Sequence, residues 1–130
     1  MARFCKENNI AMTPYSGLAA GRLAKLPSER TARLDQDKMA ISKYDGTKEA
    51  DSKIISRVIE IAEKRNVSMA EVALSWLMSK VASPVVGVTK LSQIDALAKA
   101  SDLKLTEEEN TYLEELYVPH QVVGVMSWYK

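Results

Sequence analysis

The sequence has few of the residues that build disulfide frameworks and metal sites. Its 130 residues include one cysteine, Cys5, and one histidine, His120. A single cysteine cannot form an internal disulfide, which is the usage expected in a reducing cytoplasm. Cys5 lies in an apparent helical segment with no histidine nearby to activate it, so we predict a buried structural thiol. No metal site is predicted, and His120 is expected to have a packing or surface role.

The chain also lacks an excess of one charge and any long apolar run. Its 18 Lys and Arg and 17 Asp and Glu residues give a formal net charge of +1. This balance gives no electrostatic reason to expect nucleic acid or a membrane as a partner, and the apolar runs are far shorter than a membrane span. The N-terminus has no apolar signal-peptide core. A hydrophobic content of 46% supports a packed core in one cytoplasmic domain.

Apolar residues recur at helical spacing over most of the chain. Capping boxes mark two helix starts, because a serine or threonine and a glutamate three residues later can satisfy free backbone N–H groups. These boxes are Ser68–Glu71 and Thr106–Glu109. The predicted helices are Ala2–Asn9 (as the last turns of a helix), about Asp51–Lys64, one opened by Ser68, one capped by Ser92 and one opened by Thr106.

Two short segments have the character of buried strands. Ile10–Tyr15 opens on an apolar run, and Pro84–Val88 is rich in β-branched residues. Between them, residues 24–50 lose periodicity and are predicted to form a long irregular loop. Strands that alternate with helices favour an α/β fold with a parallel sheet. Two parallel strands alone would leave both edges of that sheet open.

Residues that suit an anionic ligand follow both predicted strands. After the first strand, the Ser16 hydroxyl, Arg22 and the backbone around two glycines could hold a phosphate, and Tyr15 could stack on a planar ring. After the second strand come Gly87, Thr89, Lys90 and Ser92. Two explanations stay open from the residues alone. One is a single ligand site at the strand ends, and the other is two glycine-containing turns and a core tyrosine.

Four segments, in the same order along the chain, resemble the aldo-keto reductases. The first is Tyr-Ser-Gly-Leu-Ala-Ala-Gly-Arg-Leu at residues 15–23, which resembles their seventh-strand segment. Residues 68–80 are similar to the helix before the eighth strand, and residues 85–94 to that strand and the nucleotide-binding helix after it. Residues 103–109 are similar to the closing helix. The tail at residues 117–124 resembles one bacterial branch of the family.

The resemblance implies a fold, an activity and a cofactor. The family fold is a (β/α)8 TIM barrel, which typically needs about 250 residues. Residues 1–130 would then be an incomplete domain, the C-terminal part of the barrel with strands 7 and 8 and their helices. The family reduces aldehydes and ketones with NADPH. The resemblance therefore implies an oxidoreductase part that binds NADPH or NADP.

The resemblance also implies which residues contact this cofactor. Tyr15 would stack on the nicotinamide. The pyrophosphate would be lined by Ser16, Leu18, Ala20, Gly21 and Arg22, and the adenosine 2′-phosphate end would be surrounded by Gly87, Val88, Thr89, Lys90 and Gln93. One position departs from the family pattern, because Leu97 stands where the family usually has an asparagine that meets the adenine.

The family's catalytic Asp, Tyr, Lys and His motifs match no part of this chain. They come from earlier strands, and His120 lies in the tail outside those motifs. Carbonyl reduction needs an acid beside the substrate oxygen as hydride arrives, so we expect no catalysis by these residues alone. The alternative function is a non-catalytic assembly module, either a homo-oligomer or a complex with the missing half of the barrel. A helix-turn-helix at residues 62–80 is a weaker alternative, because its second helix offers no base-reading side chain before Lys80.

Overall fold

The described chain is built from helices joined by turns and extended segments. A computed structural model describes residues 1–29 and 36–119. The α-helices are α1 (Ala2–Glu7), α2 (Lys38–Tyr44), α3 (Lys48–Arg65), α4 (Met69–Met78), α5 (Leu91–Asp102) and α6 (Glu107–Glu114). Short 3-10 turns lie at Ala19–Gly21, Pro27–Glu29 and Asp45–Thr47. No strand is assigned within the described residues.

The core forms where α3, α4 and α6 meet. Its buried residues are Val58, Ile61, Ala62, Met69, Val72 and Leu113. Helix α5 also packs against α4, and the Ser75 hydroxyl donates to the Leu103 carbonyl oxygen at 2.6 Å. Helix α4 is therefore the central element, buried at Met69 and at each residue from Glu71 to Ser75. It does not present the free face that a groove-reading helix needs.

Local capping sets the helix boundaries as predicted. The Ser68 hydroxyl accepts from the Glu71 N–H at 3.2 Å, and the Glu71 carboxylate accepts from the Ser68 N–H at 2.7 Å. Thr106 and Glu109 make the same reciprocal pair at 3.2 and 2.9 Å. Helix α1 ends at Glu7 with Asn8 as its C-cap, and the next residue, Asn9, has a left-handed φ of 53°, a conformation that asparagine tolerates just past a helix end. Both capping boxes are thus confirmed, whereas α1 ends two residues before the predicted Asn9.

The two predicted buried strands, Ile10–Tyr15 and Pro84–Val88, are wrong. Neither segment is assigned as a strand. Neither is buried, because Ile10 is 49% exposed, Val85 58% and Val88 40%. The two segments nevertheless lie side by side, because backbone hydrogen bonds connect them.

Backbone bonds between these two segments run in one direction only. The N–H of Ser83 donates to the Met12 carbonyl oxygen at 3.4 Å, and the N–H of Val85 donates to that of Pro14 at 2.8 Å. This order makes the segments parallel. A parallel ladder would also need residue 14 to donate to the Ser83 carbonyl, and proline has no N–H. Ser16 then leaves the extended conformation with a φ of 61°, so the pairing stops there.

Residues 24–50 are not one irregular loop. Those of them that the structure describes contain two 3-10 turns, α2 and the first residues of α3, while residues 30–35 lie outside the described part. Helix α2 is capped by Asp37, whose Oδ1 accepts from the Ala40 N–H at 3.0 Å, and Ala40 is buried. Asp37 and Gly46 indicated a loop in the sequence, but one is a helix cap and the other lies in a 3-10 turn.

Two single-residue predictions have opposite outcomes. Cys5 is a buried free thiol, as predicted. Ser92 does not cap α5, because the helix already begins at Leu91 with Lys90 as its N-cap. His120 lies in residues 120–130, outside the described part of the chain.

The described residues offer neither a membrane-crossing helix nor a metal-binding cluster. Over residues 1–29 and 36–119, no helix combines the length and the apolar character that crossing a bilayer requires. In the same residues, no group of three or more His, Cys, Asp or Glu side chains is placed to hold a metal ion.

Candidate functional site

The Ser16–Ala24 segment is a tight turn that passes through several left-handed residues. Ser16, Ala19 and Ala20 have φ values of 61°, 48° and 56°, and Gly21 has a φ of 93°. Left-handed backbone costs a residue with a Cβ about 1–2 kcal/mol, and such strain clusters at functional sites. This turn is therefore a candidate ligand site on conformational as well as chemical grounds.

Most backbone N–H groups of the Ser16–Ala24 turn are used inside it. Five of them donate to backbone carbonyl oxygens of residues 16–21 at 2.8–3.3 Å, namely those of Ala19, Gly21, Arg22, Leu23 and Ala24. These N–H groups do not cradle a phosphate in this conformation. The turn offers an anion the Ser16 hydroxyl and, one residue past its end, the Lys25 ammonium.

The second wall of the site is formed where the extended chain turns into α5. The Gln93 side-chain oxygen accepts from the N–H groups of Thr89 at 2.7 Å and Lys90 at 3.1 Å. Gln93 thereby caps the helix, and its amide nitrogen remains a donor. A Cβ added at Gly87 would meet nothing within 4 Å, so a ligand can approach the backbone closely there. The Thr89 hydroxyl lies next to a helix N-terminus, which favours negative charge.

A cleft of about 440 Å³ lies between these two walls. Its lining includes eight of the eleven residues that the sequence predicted as cofactor contacts: Ser16, Leu18, Ala20, Gly21, Gly87, Val88, Thr89 and Gln93. The two groups are about 70 positions apart in the chain, so the fold and not local sequence brings them together. The volume falls within the range of roughly 300–1,000 Å³ that is usual for small-molecule sites.

The other three predicted contacts, Tyr15, Arg22 and Lys90, do not line this cleft. Tyr15 is 75% exposed, and the Lys43 ammonium of α2 lies 5.3 Å from its ring centroid. The Arg22 guanidinium lies over the Tyr44 ring at 4.9 Å and lines a smaller neighbouring cavity of about 120 Å³. Lys90 is exposed at the helix N-terminus.

Sequence reasoning missed two charged residues of the cleft, Lys25 and Asp37. Lys25 follows the Ser16–Ala24 turn directly and could have been included with it. Asp37 carries no local signal for a site, because it serves as the cap of α2 and reaches the cleft only through the fold. The cleft is thus lined by one ammonium group, that of Lys25, and one carboxylate, that of Asp37.

The shifted pKa values among the described residues belong to groups away from the cleft. Hydrogen bonds from Arg65, at 2.8 and 2.5 Å, hold the pKa of Glu109 below its usual range. The hydrogen bond from Lys80 lowers the pKa of Glu114 in the same way. The first pair joins α3 to α6, and the second joins the residues just after α4 to α6. These ion pairs connect neighbouring helices of the core.

Comparison with known proteins shows which family the sequence matches and which proteins it is similar to. A family model described as the aldo/keto reductase family matches residues 1–118. Relatives include an aldo-keto reductase of Fusarium vanettenii, 38% identical over 128 residues, with 95% of this chain and 34% of that protein covered. An aldo-keto reductase of Metarhizium robertsii is 36% identical over 128 residues, with coverage of 95% and 34%. The versiconal hemiacetal acetate reductase of Aspergillus parasiticus is 35% identical over 125 residues, with coverage of 94% and 36%.

Two facts follow from these matches. The chain spans about a third of the length of the curated relatives it matches. Those relatives are fungal, and they give no support to the predicted bacterial branch.

Proposed function

The chain belongs to the aldo/keto reductase family, and we propose that it provides the nicotinamide-nucleotide site of an NADPH-dependent carbonyl reductase. In this proposal residues 1–130 correspond to the C-terminal part of the family's (β/α)8 barrel and act in the cytoplasm. The observation that carries the proposal is the cleft that gathers Ser16, Gly21, Gly87 and Thr89 from two distant segments. The relatives' names as reductases support the same reaction class.

The cleft fits part of a dinucleotide phosphate chain. The hydroxyls of Ser16 and Thr89 and the ammonium of Lys25 are donors that suit phosphate oxygens. Gln93 adds an amide donor beside the start of α5. Bound NADPH supplies a hydride to a carbonyl carbon, and these residues hold and orient the nucleotide for that transfer.

This chain does not complete the reduction by itself in our proposal. Among the described residues, the cleft is lined by one carboxylate, Asp37, and by no histidine or tyrosine. Because the family's catalytic motifs match no part of this sequence, we propose that residues outside this chain supply the proton donor for the substrate oxygen. Steady NADPH oxidation by the purified chain with a simple aldehyde would contradict this part of the proposal.

Substitution of Gly87 by alanine tests the binding site without disturbing the fold. The added Cβ meets nothing within 4 Å, so stability stays unchanged. We expect NADPH affinity, measured by nucleotide fluorescence, to fall roughly tenfold because the methyl group blocks close backbone approach.

Gly46→Ala is the matched control for this experiment. Its added Cβ also meets nothing within 4 Å, but Gly46 lies in the Asp45–Thr47 turn outside the cleft. Equal NADPH affinity in the Gly87→Ala and Gly46→Ala variants would count against the proposed site.

The second candidate is an assembly role, which the open extended segments favour. Ile10, Val85 and Val88 are 40–58% exposed, and within residues 1–29 and 36–119 no further strand is assigned beside the two segments. The edges of such segments pair with further strands. We propose either a second copy of this chain or the rest of a barrel as the partner.

A further inference from the structure

Two charged side chains of opposite sign line the nucleotide cleft among the described residues. They are Lys25, just after the Ser16–Ala24 turn, and Asp37, at the start of α2. The two do not neutralise each other, because no ion pair joins them. A ligand in the cleft therefore meets one cationic donor and one anionic acceptor. A ribose that carries phosphate matches this pair, since its hydroxyls donate and its phosphate oxygens accept.

The capping bond of Asp37 uses only one of its two carboxylate oxygens. Oδ1 accepts from the Ala40 N–H at 3.0 Å, whereas Oδ2 accepts no hydrogen bond from the described residues. Ala40 is buried, and α2 packs against the Ala19–Gly21 turn. The fold thus holds the carboxylate at the wall of the cleft, where Oδ2 can accept from a ligand hydroxyl.

The two nicotinamide nucleotides differ at one group, which a carboxylate distinguishes. The adenosine ribose has a 2′-hydroxyl in NADH and a 2′-phosphate in NADPH. An acidic side chain accepts from the hydroxyl and repels the phosphate. The cleft also contains Thr89 and Gln93, which the family resemblance assigns to the 2′-phosphate end. A cleft of about 440 Å³, taken as a sphere, is roughly 9 Å across, about one Debye length, so the charge of Asp37 acts on a phosphate bound in it.

We propose that Asp37 sets the nucleotide preference of the cleft and makes it accept NADH beside NADPH. Its Oδ2 accepts a hydrogen bond from the ribose 2′-hydroxyl of NADH and opposes the 2′-phosphate of NADPH. This assignment rests on the proposed function, because it concerns the same cleft. The pyrophosphate is common to both nucleotides, so any effect of Asp37 on it cancels when the two affinities are compared.

Substitution of Asp37 by two neutral residues tests the proposal. Asp37→Asn and Asp37→Ser remove the charge and keep a residue type that caps helices. Fluorescence titrations of the purified chain with NADH and with NADPH give the ratio of the two affinities. We expect both variants to shift this ratio towards NADPH by roughly tenfold, because NADPH is no longer repelled and NADH loses a charge-assisted hydrogen bond.

Asp102→Asn is the matched control, because it removes an exposed carboxylate at the end of α5, outside the cleft. It should leave the ratio unchanged. An equal change in both affinities on substitution of Asp37 would overturn this proposal alone, since Asp37 would then act only on the shared pyrophosphate. Failure of the unaltered chain to bind either nucleotide would contradict the proposed function and this proposal with it.

A pair of smaller nucleotides tests the hydroxyl contact separately. The probes are 5′-AMP and 2′-deoxy-5′-AMP, whose binding is followed by the backbone amide shifts of residues 16–25 and 87–93. We expect the unaltered chain to bind 5′-AMP several-fold more tightly than its deoxy analogue, and Asp37→Ser to bind the two alike. Equal affinities of the unaltered chain for the two probes would overturn the proposed hydrogen bond.

Discussion

Two side chains that line the cleft, those of Gln93 and Asp37, also cap helices. Gln93 uses its amide oxygen to hold the N–H groups of Thr89 and Lys90, so only its nitrogen is left for a ligand. Asp37 uses Oδ1 to cap α2 while its carboxylate lines the cleft. These double roles could not be predicted from sequence, because each depends on which neighbours the folded backbone brings within hydrogen-bond distance.

The charge of Asp37 should weaken the binding of a nucleotide phosphate. Asp37→Asn removes this charge and keeps α2 intact, because asparagine caps helices as well as aspartate does. We expect NADPH to bind roughly 3- to 10-fold more tightly, since a carboxylate no longer opposes an anion in the same cleft. The measurement is an NADPH titration at low salt, repeated at high salt, where the gain should shrink. A weaker or salt-independent affinity would show that phosphates do not lie near Asp37.

Elements whose signals are local were predicted well, and elements that need distant partners were not. Helices α4 and α6 follow from their capping boxes, which are complete within four residues at Ser68–Glu71 and Thr106–Glu109. The strands failed because a ladder needs reciprocal bonds, and Pro14 cannot supply one. Helix α2 was missed because Asp37 signals a turn and a helix cap equally well. The cleft followed from a family resemblance over the whole chain, not from either segment alone.

The Arg65–Glu109 ion pair should make the stability of the fold depend on pH. Arg65 holds the pKa of Glu109 below its usual range, so the pair stabilises the fold at pH values above the ordinary carboxyl pKa of about 4.3. This stabilisation is lost as the pH falls below that value and through the folded-state pKa. Glu109→Gln keeps the capping box, which accepts glutamine, but removes the ion pair.

Urea unfolding between about pH 7 and pH 3 measures this effect. We expect Glu109→Gln to lower stability near neutral pH and to flatten the loss of stability below about pH 5. Glu107→Gln is the matched control, because it removes one charge from the same first turn of α6 at an exposed position. Identical pH profiles for the two variants would mean that Arg65 contributes nothing beyond the charge of the helix terminus.

At the scale of the whole molecule, the chain combines a candidate binding cleft with exposed apolar residues. It spans about a third of the length of its curated relatives, and membership of the family implies a (β/α)8 barrel. The described third is helix-rich, with two extended segments that lack the strands a barrel would place beside them. Apolar residues on these segments, such as Ile10 and Val85, are exposed, and under the proposed partial barrel further strands would cover them.

Self-association of the isolated chain follows from these uncovered segments. We expect size-exclusion chromatography with light scattering to give a mass well above the 14.4 kDa of one chain, rising with protein concentration. Val85→Lys should shift the mass towards that of the monomer, because a lysine on an exposed edge opposes strand pairing. The exposed Lys104→Ala change, on the segment between α5 and α6, serves as control. A sharp monomer peak at all concentrations would exclude an assembly role for this surface.

The central prediction is that the cleft between the Ser16–Ala24 turn and the start of α5 binds a nicotinamide nucleotide. Titration of NADP into isotope-labelled chain, followed by two-dimensional ¹H–¹⁵N spectra, tests this claim most directly because it reports both binding and place. We predict saturable shifts at the backbone amides of residues 16–25 and 87–93, with little change in α3 and α6. No shifts at millimolar nucleotide, or shifts confined to other parts of the chain, would contradict it.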